Sequence, residues 1–278
     1  MSSRFSISIL GCGWLGLPLA KSFINDGVKV KGSTTSPEKL PLLEAAGIEP
    51  YLVHFSMESD PGLLSDFLDA DVLIISVPPG RNPHKQENYF HLLNSLTSAI
   101  DKSSISKIIF ISSTSVYGET NEKFSEKDAP KPDSPAGERM LAAEQLISRE
   151  IKIPVLILRL AGLIGPSRHP GRFFAGKADI PNGLSPVNLI HQLDAIGIIR
   201  KLIDTDAAPG IYNGCAPDHP TRREFYTLAA QKLGTELPIF LLEKDKWKII
   251  TSDKVERDLQ YEFQVPRLME WLEQGHDL

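Results

Sequence analysis

Ser6-Ile7-Ser8-Ile9-Leu10-Gly11-Cys12-Gly13-Trp14-Leu15-Gly16 decides the fold. A short apolar strand runs straight into G-x-G-x-x-G, and a helical pattern opens at once. Glycine turns recur for purely structural reasons, so the motif alone says little. Its setting says more: it lies between a strand and a helix, and a second strand pattern, Val28 to Gly32, follows. In that setting each glycine has a task. Gly11 permits the tight turn, Gly13 lets backbone N–H groups approach a pyrophosphate, and Gly16 lets the helix pack close to the strand. The helix start adds N–H groups and the positive end of a dipole. The stretch predicts a dinucleotide diphosphate held by Gly11, Gly13, Trp14, Leu15 and Gly16.

Outward from this unit, strand and helix patterns alternate. Pro37 leads a helix to about Ala46, Ile48–His54 reads as strand three, and Asp71–Val77 as a buried strand four. A helix over roughly 85–101, a strand over 107–112, a helix over 137–149 and a strand over 153–160 follow. Parallel strands need crossovers, so this alternation predicts an α/β protein with a doubly wound, Rossmann-like parallel sheet. After Gly165 the character changes. Residues 166–187 are rich in proline and glycine, and long irregular segments of this kind are often functional. A helix is expected over 188–204, with Leu189, Leu193, Ile196 and Ile203 along one side, then a short strand at 210–213. Thr221-Arg222-Arg223-Glu224 is a capping-box pattern opening a helix to Leu233, and an amphipathic helix follows Pro266. The expected domains are 1–165, joined by 188–214, and a smaller C-terminal substrate lobe from 166–187 and 215–278.

Bulk properties narrow the partners. The chain has 278 residues and is 41% hydrophobic, with a net charge of −5 and no Lys/Arg block. Nucleic acid is therefore not an expected partner. Cys12 and Cys215 make no disulfide framework and suit a reducing compartment. The run from Ile153 to Gly165 is broken by Arg159 and too short to span a bilayer. With no visible signal peptide, a cytoplasmic protein with no membrane contact is expected. No metal-ligand spacing appears among the histidines and cysteines.

Ile111-Ser112-Ser113-Thr114-Ser115-Val116-Tyr117-Gly118 resembles the end of the fifth strand in extended members of the short-chain dehydrogenase/reductase superfamily. These are NAD(P)-dependent epimerases, dehydratases and reductases, many acting on nucleotide sugars. Four further segments agree in order. Asn88 to Asn94 is similar to their N-x-x-G-x-x-N helix, with His91 for the glycine. Leu158 to Pro166 is similar to R-x-x-x-x-Y-G-P, with Ile164 for the tyrosine. Asn188 to Asp194 is similar to N-x-I-H-x-x-D, and Gly210 to Asn213 fits the strand that follows. The glycine turn G-C-G-W-L-G departs from the extended members' usual G-x-x-G-x-x-G. It resembles instead a subgroup of uncharacterised proteins with a Pro-Pro-Gly after strand four. Here that loop is Ser76-Val77-Pro78-Pro79-Gly80, and the resemblance lays Val77, Pro78 and Pro79 along the cofactor. A rigid turn made by two prolines fits the same placement.

The resemblance breaks at its chemistry. The family's Tyr-x-x-x-Lys uses the lysine charge to lower the tyrosine pKa, so that a phenolate trades a proton with substrate. The corresponding helix, Y-G-x-S-K-x-x-x-E in the family, reads Ala136-Gly137-Glu138-Arg139-Met140-Leu141-Ala142-Ala143-Glu144. Alanine stands for the tyrosine and methionine for the lysine. Four residues after each tyrosine of the chain stand Phe55, Leu93, Asn121, Ala216, Ala230 and Val265, so the pair is not restored elsewhere.

Strand two ends in Ser33-Thr34-Thr35-Ser36 without the acid that selects NAD through a ribose 2′-OH. These hydroxyls and nearby Lys39 favour NADP over NAD; Ser36 also suits the cap of the Pro37 helix. For chemistry, the resemblance puts Ser113 at the hydroxyl that hydrogen-bonds the substrate oxygen, although a strand-end serine also serves backbone groups. Tyr117 is the other candidate acid. Arg159 and Arg172 are candidate substrate-binding cations, with Arg168 and His169 beside the latter; a structural ion pair is the alternative for Arg159. His191 and Asp194 belong to the family pattern but suit structural roles. Two readings remain: an atypical NAD(P)-dependent epimerase/dehydratase-like oxidoreductase acting on a small polar or nucleotide-sugar-like substrate, and a non-catalytic dinucleotide-binding sensor. A third, a GxGxxG dehydrogenase of another type with Val-Pro-Pro after strand four, conflicts with the segments at 111–118 and 188–194. The resemblance also implies a homodimer through the fourth and fifth helices.

Overall fold

Short runs of residues buried on both faces build the sheet of this protein. The computed structural model describes residues 5–53, 61–80 and 83–275, so the expected strand residue His54 lies outside the described residues. The first unit of the fold is β1 (Ser6–Leu10), α1 (Gly16–Ile24) and β2 (Lys29–Thr34). The Pro37 segment splits into a 3₁₀ turn, Pro37–Lys39, and α2 (Leu40–Ala45). Next come β3 (Glu49–Leu52), α3 (Pro61–Phe67), β4 (Val72–Ile75), α4 (Pro83–Ile100), β5 (Lys107–Ser113), β6 (Glu122–Phe124) and α5 (Pro135–Glu150). The second half holds β7 (Val155–Leu160), β8 (Gly162–Ile164), β9 (Leu189–His191), α6 (Gln192–Asp204), β10 (Gly210–Gly214), α7 (Arg222–Leu233), β11 (Lys248–Ile250), α8 (Asp253–Leu259) and α9 (Leu268–Gln274).

The central sheet has seven strands in the order β10-β7-β5-β4-β1-β2-β3. β1 pairs in parallel with β2 and β4, β2 with β3, and β4 with β5. Every residue of β4 is buried, as are Ile7, Ile9, Leu10 and Ile108 to Phe110. A sheet covered on both faces reads as a continuous apolar run in this way. The strand order reverses between β1 and β4, and in open α/β sheets the crevice at such a switch, beyond the carboxyl ends of the strands, takes ligands.

Contacts divide the chain into two units, Met1–Ser112 with Pro135–Leu158 and Ala208–Ile211, and Ser113–Ser134 with Arg159–Ala207 and Tyr212–Leu278. The sequence expectation places 113–134, 159–165, 188–207 and 212–214 with the first unit. Two small parallel sheets, β11 with β6 and β8 with β9, are what tie these segments into the second. The core of that unit gathers Ile164, Ile180, Leu189, Phe225, Phe240 and Trp271.

The helix expected over 188–204 begins with a strand instead. Leu189 to His191 pair with β8, and His191 Nδ1 accepts from Leu193 N–H at 3.2 Å, which starts α6 at Gln192. Leu193, expected on the apolar side, is 48% exposed. The capping box at Thr221 forms in full, with both Thr221 and Glu224 side chains bonded to the opposite backbone N–H.

Candidate functional site

The glycine turn is closed against the protein and open on one side. Gly11 adopts φ +102°, a conformation that L side chains rarely take. A Cβ there would stand 2.6 Å from Val77 Cγ1, so the loop after β4 lies directly against the turn. Its N–H donates to Ser33 Oγ at 2.9 Å, and Cys12 N–H donates to the Ser33 carbonyl at 2.8 Å. A Cβ on Gly16 would lie 2.1 Å from the Gly11 carbonyl oxygen, a distance that admits only glycine. Gly13 is the exception: it is exposed, and a Cβ there would meet nothing within 4 Å. Trp14 is half-buried and Leu15 buried beside it. No side chain caps α1 and no acid lies in its first turn, so the positive end of the dipole is not neutralised locally. An approachable backbone at Gly13 beside an uncapped helix start fits the diphosphate of a dinucleotide.

The end of β2 divides its four hydroxyls. Ser33 is 3% exposed and its oxygen holds Gly11, so this predicted phosphate donor is a brace of the turn instead. Thr34 Oγ1 accepts from Ser36 N–H at 3.1 Å. Thr35 is exposed, and Ser36 precedes the Pro37 turn without a side-chain cap bond, so these two are the hydroxyls directed least to the protein itself. Cys12 packs under the turn, and burial pushes its thiol up to about 12, which leaves it a small apolar residue at neutral pH.

At the end of β5, buried Ser112 donates to the buried Glu144 carboxylate. That bond pins α5 to the strand. Ala136, at the family's tyrosine position, is exposed, and Met140, at its lysine position, is 8% exposed.

Ser113 and the remaining candidates belong to the second unit. Ser113 is half-buried, and its Oγ accepts from Ser115 N–H at 3.1 Å while keeping its own proton to give. Tyr117 is corrected: it is fully buried, stacked on Phe124, and its oxygen accepts from Arg159 Nη1 at 2.7 Å. Its hydroxyl reaches the Ser125 carbonyl at 3.1 Å and Asn213 Oδ1 at 3.2 Å. Burial raises its pKa and the Arg159 guanidinium pulls it back only in part, so it is neither accessible nor acidic. Arg159 is corrected with it: at 1% exposure, with its guanidinium also 4.9 Å from the Tyr117 ring centre, it serves the core and not a substrate. Arg172 and Arg168 are exposed, while His169 is buried and caps the Pro170 turn through Gly171 N–H at 3.1 Å. Asp194, fully buried, accepts from Tyr261 Oη, Gln264 N–H and Val265 N–H at 2.8, 2.6 and 3.1 Å, and so anchors the loop before α9.

One group was not visible in the sequence. Lys248 on β11 donates to the carbonyls of Tyr117 and Thr114 at 2.5 and 3.2 Å. With Thr114, Asn188, Arg222, Tyr226 and Trp247 it lines a cleft of about 280 Å³. Burial lowers its pKa, and Glu119 and Asp133 draw it partly back up. A single lysine in a three-residue strand leaves no pattern from which to find it.

Residues 8–195 match the NAD-dependent epimerase/dehydratase family. The chain belongs to that family. No Tyr-x-x-x-Lys occurs in its sequence. It is 39% identical over 264 residues to Protein YeeZ of Escherichia coli (strain K12), covering 94% of this chain and 96% of that one. An uncharacterized UDP-glucose epimerase, YtcB of Bacillus subtilis (strain 168), is 35% identical over 98 residues, 31% of each chain. Among solved structures, the UDP-glucuronic acid 4-epimerase of Bacillus cereus, in complex with NAD, aligns with TM-score 0.80 at 22% identity over 98% of this chain and 96% of that one. The UDP-N-acetylglucosamine 4-epimerase of the same organism aligns with TM-score 0.78 at 20% identity, over 98% and 95%. These last two establish the shared fold. Among the described residues, no helix is long and apolar enough to cross a membrane.

Proposed function

We propose that this protein is an NAD(P)-dependent oxidoreductase of epimerase/dehydratase type that acts on a small anionic, nucleotide-sugar-like substrate without a tyrosine acid. The observation that carries the reading is the open backbone at Gly13 in a turn otherwise closed by Ser33 and Val77. When bound, the dinucleotide supplies hydride chemistry. The protein's own share is to bind and orient. The first turn of α1 holds the diphosphate, and Ser113 donates a hydrogen bond to the substrate oxygen. Thr35 and Ser36 at an acid-free strand end, with exposed Lys39, favour NADP. The Bacillus cereus proteins of the same fold are UDP-sugar 4-epimerases, and the cleft lined by Lys248 and Arg222 suits an anion of that kind. The resemblance also favours a homodimer through α4 and α5.

A second reading has its own support. Ala136 and Met140 carry no proton, and Tyr117 is sealed, which is the composition of a dinucleotide sensor. Thermal shifts with NADPH, NADH and UDP-sugars, alongside NADPH consumption over a carbonyl panel and chromatography of UDP-sugars incubated with the dinucleotide-loaded protein, separate the two. Substrate-dependent consumption, or conversion of a UDP-sugar with the hydride returned and no net consumption, supports the enzyme. Stabilisation by cofactor with no turnover of any substrate supports the sensor.

A further inference from the structure

Leu237-Pro238-Ile239-Phe240-Leu241-Leu242 holds four of the seven exposed large hydrophobic side chains among the described residues: Leu237, Ile239, Leu241 and Leu242. Pro238 and Phe240 between them are buried. This alternation is that of a strand with one face in the core and one in solvent. One edge of the segment is paired. Ile239 N–H donates to the Lys177 carbonyl and Leu241 N–H to the Ile180 carbonyl, both at 2.9 Å. Ile180 and Gly183 N–H donate back to the Ile239 and Leu241 carbonyls at 3.1 and 3.0 Å.

The peptide units are trans, so the C=O and N–H of each point to opposite sides. The Pro238 carbonyl, the Phe240 N–H and carbonyl, and the Leu242 N–H therefore face away from residues 177–183. None of these four groups has a hydrogen-bond partner among the described residues. Proteins usually blunt such an edge with charge, and 237–242 carries none.

The four groups match their own copies. In an antiparallel pair with a two-fold axis at Phe240, Phe240 N–H meets the second copy's Phe240 carbonyl, and Leu242 N–H meets the second copy's Pro238 carbonyl. Each contact is made twice, all four groups are satisfied, and the N–H that proline lacks is not called for. An axis at Ile239 or Leu241 would pair only some of the four with one another. The Phe240 axis also sets exposed Ile239 against Leu241, and exposed Glu236 against exposed Lys244.

We propose that a second copy of this chain pairs its 237–242 segment with this edge, in a symmetric antiparallel contact between second units. The contact is independent of the dinucleotide reading and of α4 and α5, which belong to the first unit.

Sedimentation equilibrium of the full chain tests this. The parent is expected to hold an even number of copies. Ile239→Lys, at a position 63% exposed, is expected to halve that mass with an unchanged circular dichroism spectrum. Ile239→Cys/Leu241→Cys, exposed to air, is expected to link copies covalently, since opposed residues of a non-hydrogen-bonded pair stand about 4.5 Å apart. Native Cys12 and Cys215 are buried and take no part. Ile239→Cys alone faces its like only diagonally, about 7 Å away, and is expected not to link. A parent that sediments as a single chain at every concentration overturns the inference. So does a mass that Ile239→Lys leaves unchanged, or a double-cysteine protein that stays unlinked. Linking of Ile239→Cys alone as readily as the double variant refutes the Phe240 axis.

Discussion

Alanine at Gly13 and alanine at Gly16 should have opposite effects, though the two glycines are three residues apart. At Gly16 the new Cβ would sit 2.1 Å from the Gly11 carbonyl oxygen, a backbone atom that cannot swing aside. The turn must distort, and overpacking of that kind costs about 1–3 kcal/mol of stability. At Gly13 the methyl meets nothing within 4 Å, and Gly13 is not among the positive-φ residues. Gly13→Ala should then leave the ligand-free protein unchanged or stabilise it by up to about 1 kcal/mol, by restricting the unfolded chain. The methyl instead occupies the space a diphosphate needs. Loss of two charge-assisted N–H contacts at about 1.5 kcal/mol each weakens binding by about 3 kcal/mol, roughly a hundredfold. At a dinucleotide concentration of about 100 times the parent Kd, ligand stabilises the parent by about 2.7 kcal/mol and Gly13→Ala by only about 0.4. Denaturant melts with and without NADP⁺, backed by calorimetry, measure both quantities. A Gly13→Ala protein that binds like the parent, or that is itself unstable, refutes the reasoning.

Three further outcomes follow from the second unit. Tyr117→Phe removes the oxygen that accepts from Arg159 and should cost about 1–3 kcal/mol in a denaturant melt while leaving dinucleotide affinity untouched; lost turnover at full stability would return Tyr117 to the chemistry. Asp194→Asn withdraws the charge from an oxygen pair accepting three hydrogen bonds, and a loss of about 3 kcal/mol is expected from the same measurement. For Glu126, burial raises the carboxyl pKa, and the Asn213 N–H and the Lys254 ammonium offset that only in part. A folded pKa above the unfolded one means the folded state holds its proton longer. The contribution is present in full below the unfolded pKa and is lost as pH rises through the folded one. Glu126→Gln should therefore gain stability over the parent at pH 7 and show no such gain at pH 4; a gain that is the same at both pH values would contradict the burial effect.

The central sheet was legible because β4 and the middle of β5 are buried on both faces, and such strands write themselves as unbroken apolar runs, Val72–Ile75 and Ile108–Phe110. The glycine turn was legible for a stricter reason. Gly11 and Gly16 each meet a different steric demand, a positive φ at one and a backbone oxygen against the other, and the sequence records both. The small sheets were not legible. β6, β8, β9 and β11 have three residues each, too few for a period to show, and β9 was absorbed into the helix whose apolar spacing it imitates. Tyr117 and Arg159 look like site residues in isolation, since a tyrosine after a strand and an arginine in an apolar run both suggest chemistry. That they satisfy each other across 42 positions is a fact of tertiary packing that no local pattern encodes. Ser33 misled for the same reason: its partner, Gly11, lies 22 residues away on the neighbouring strand's turn.

Titration of NADP⁺ and NAD⁺ into the intact protein addresses the dinucleotide claim most directly. One saturable site per chain, tighter for NADP⁺ and weakened about a hundredfold by Gly13→Ala, is the expected result. A parent chain that takes up neither nucleotide at millimolar concentration would contradict it.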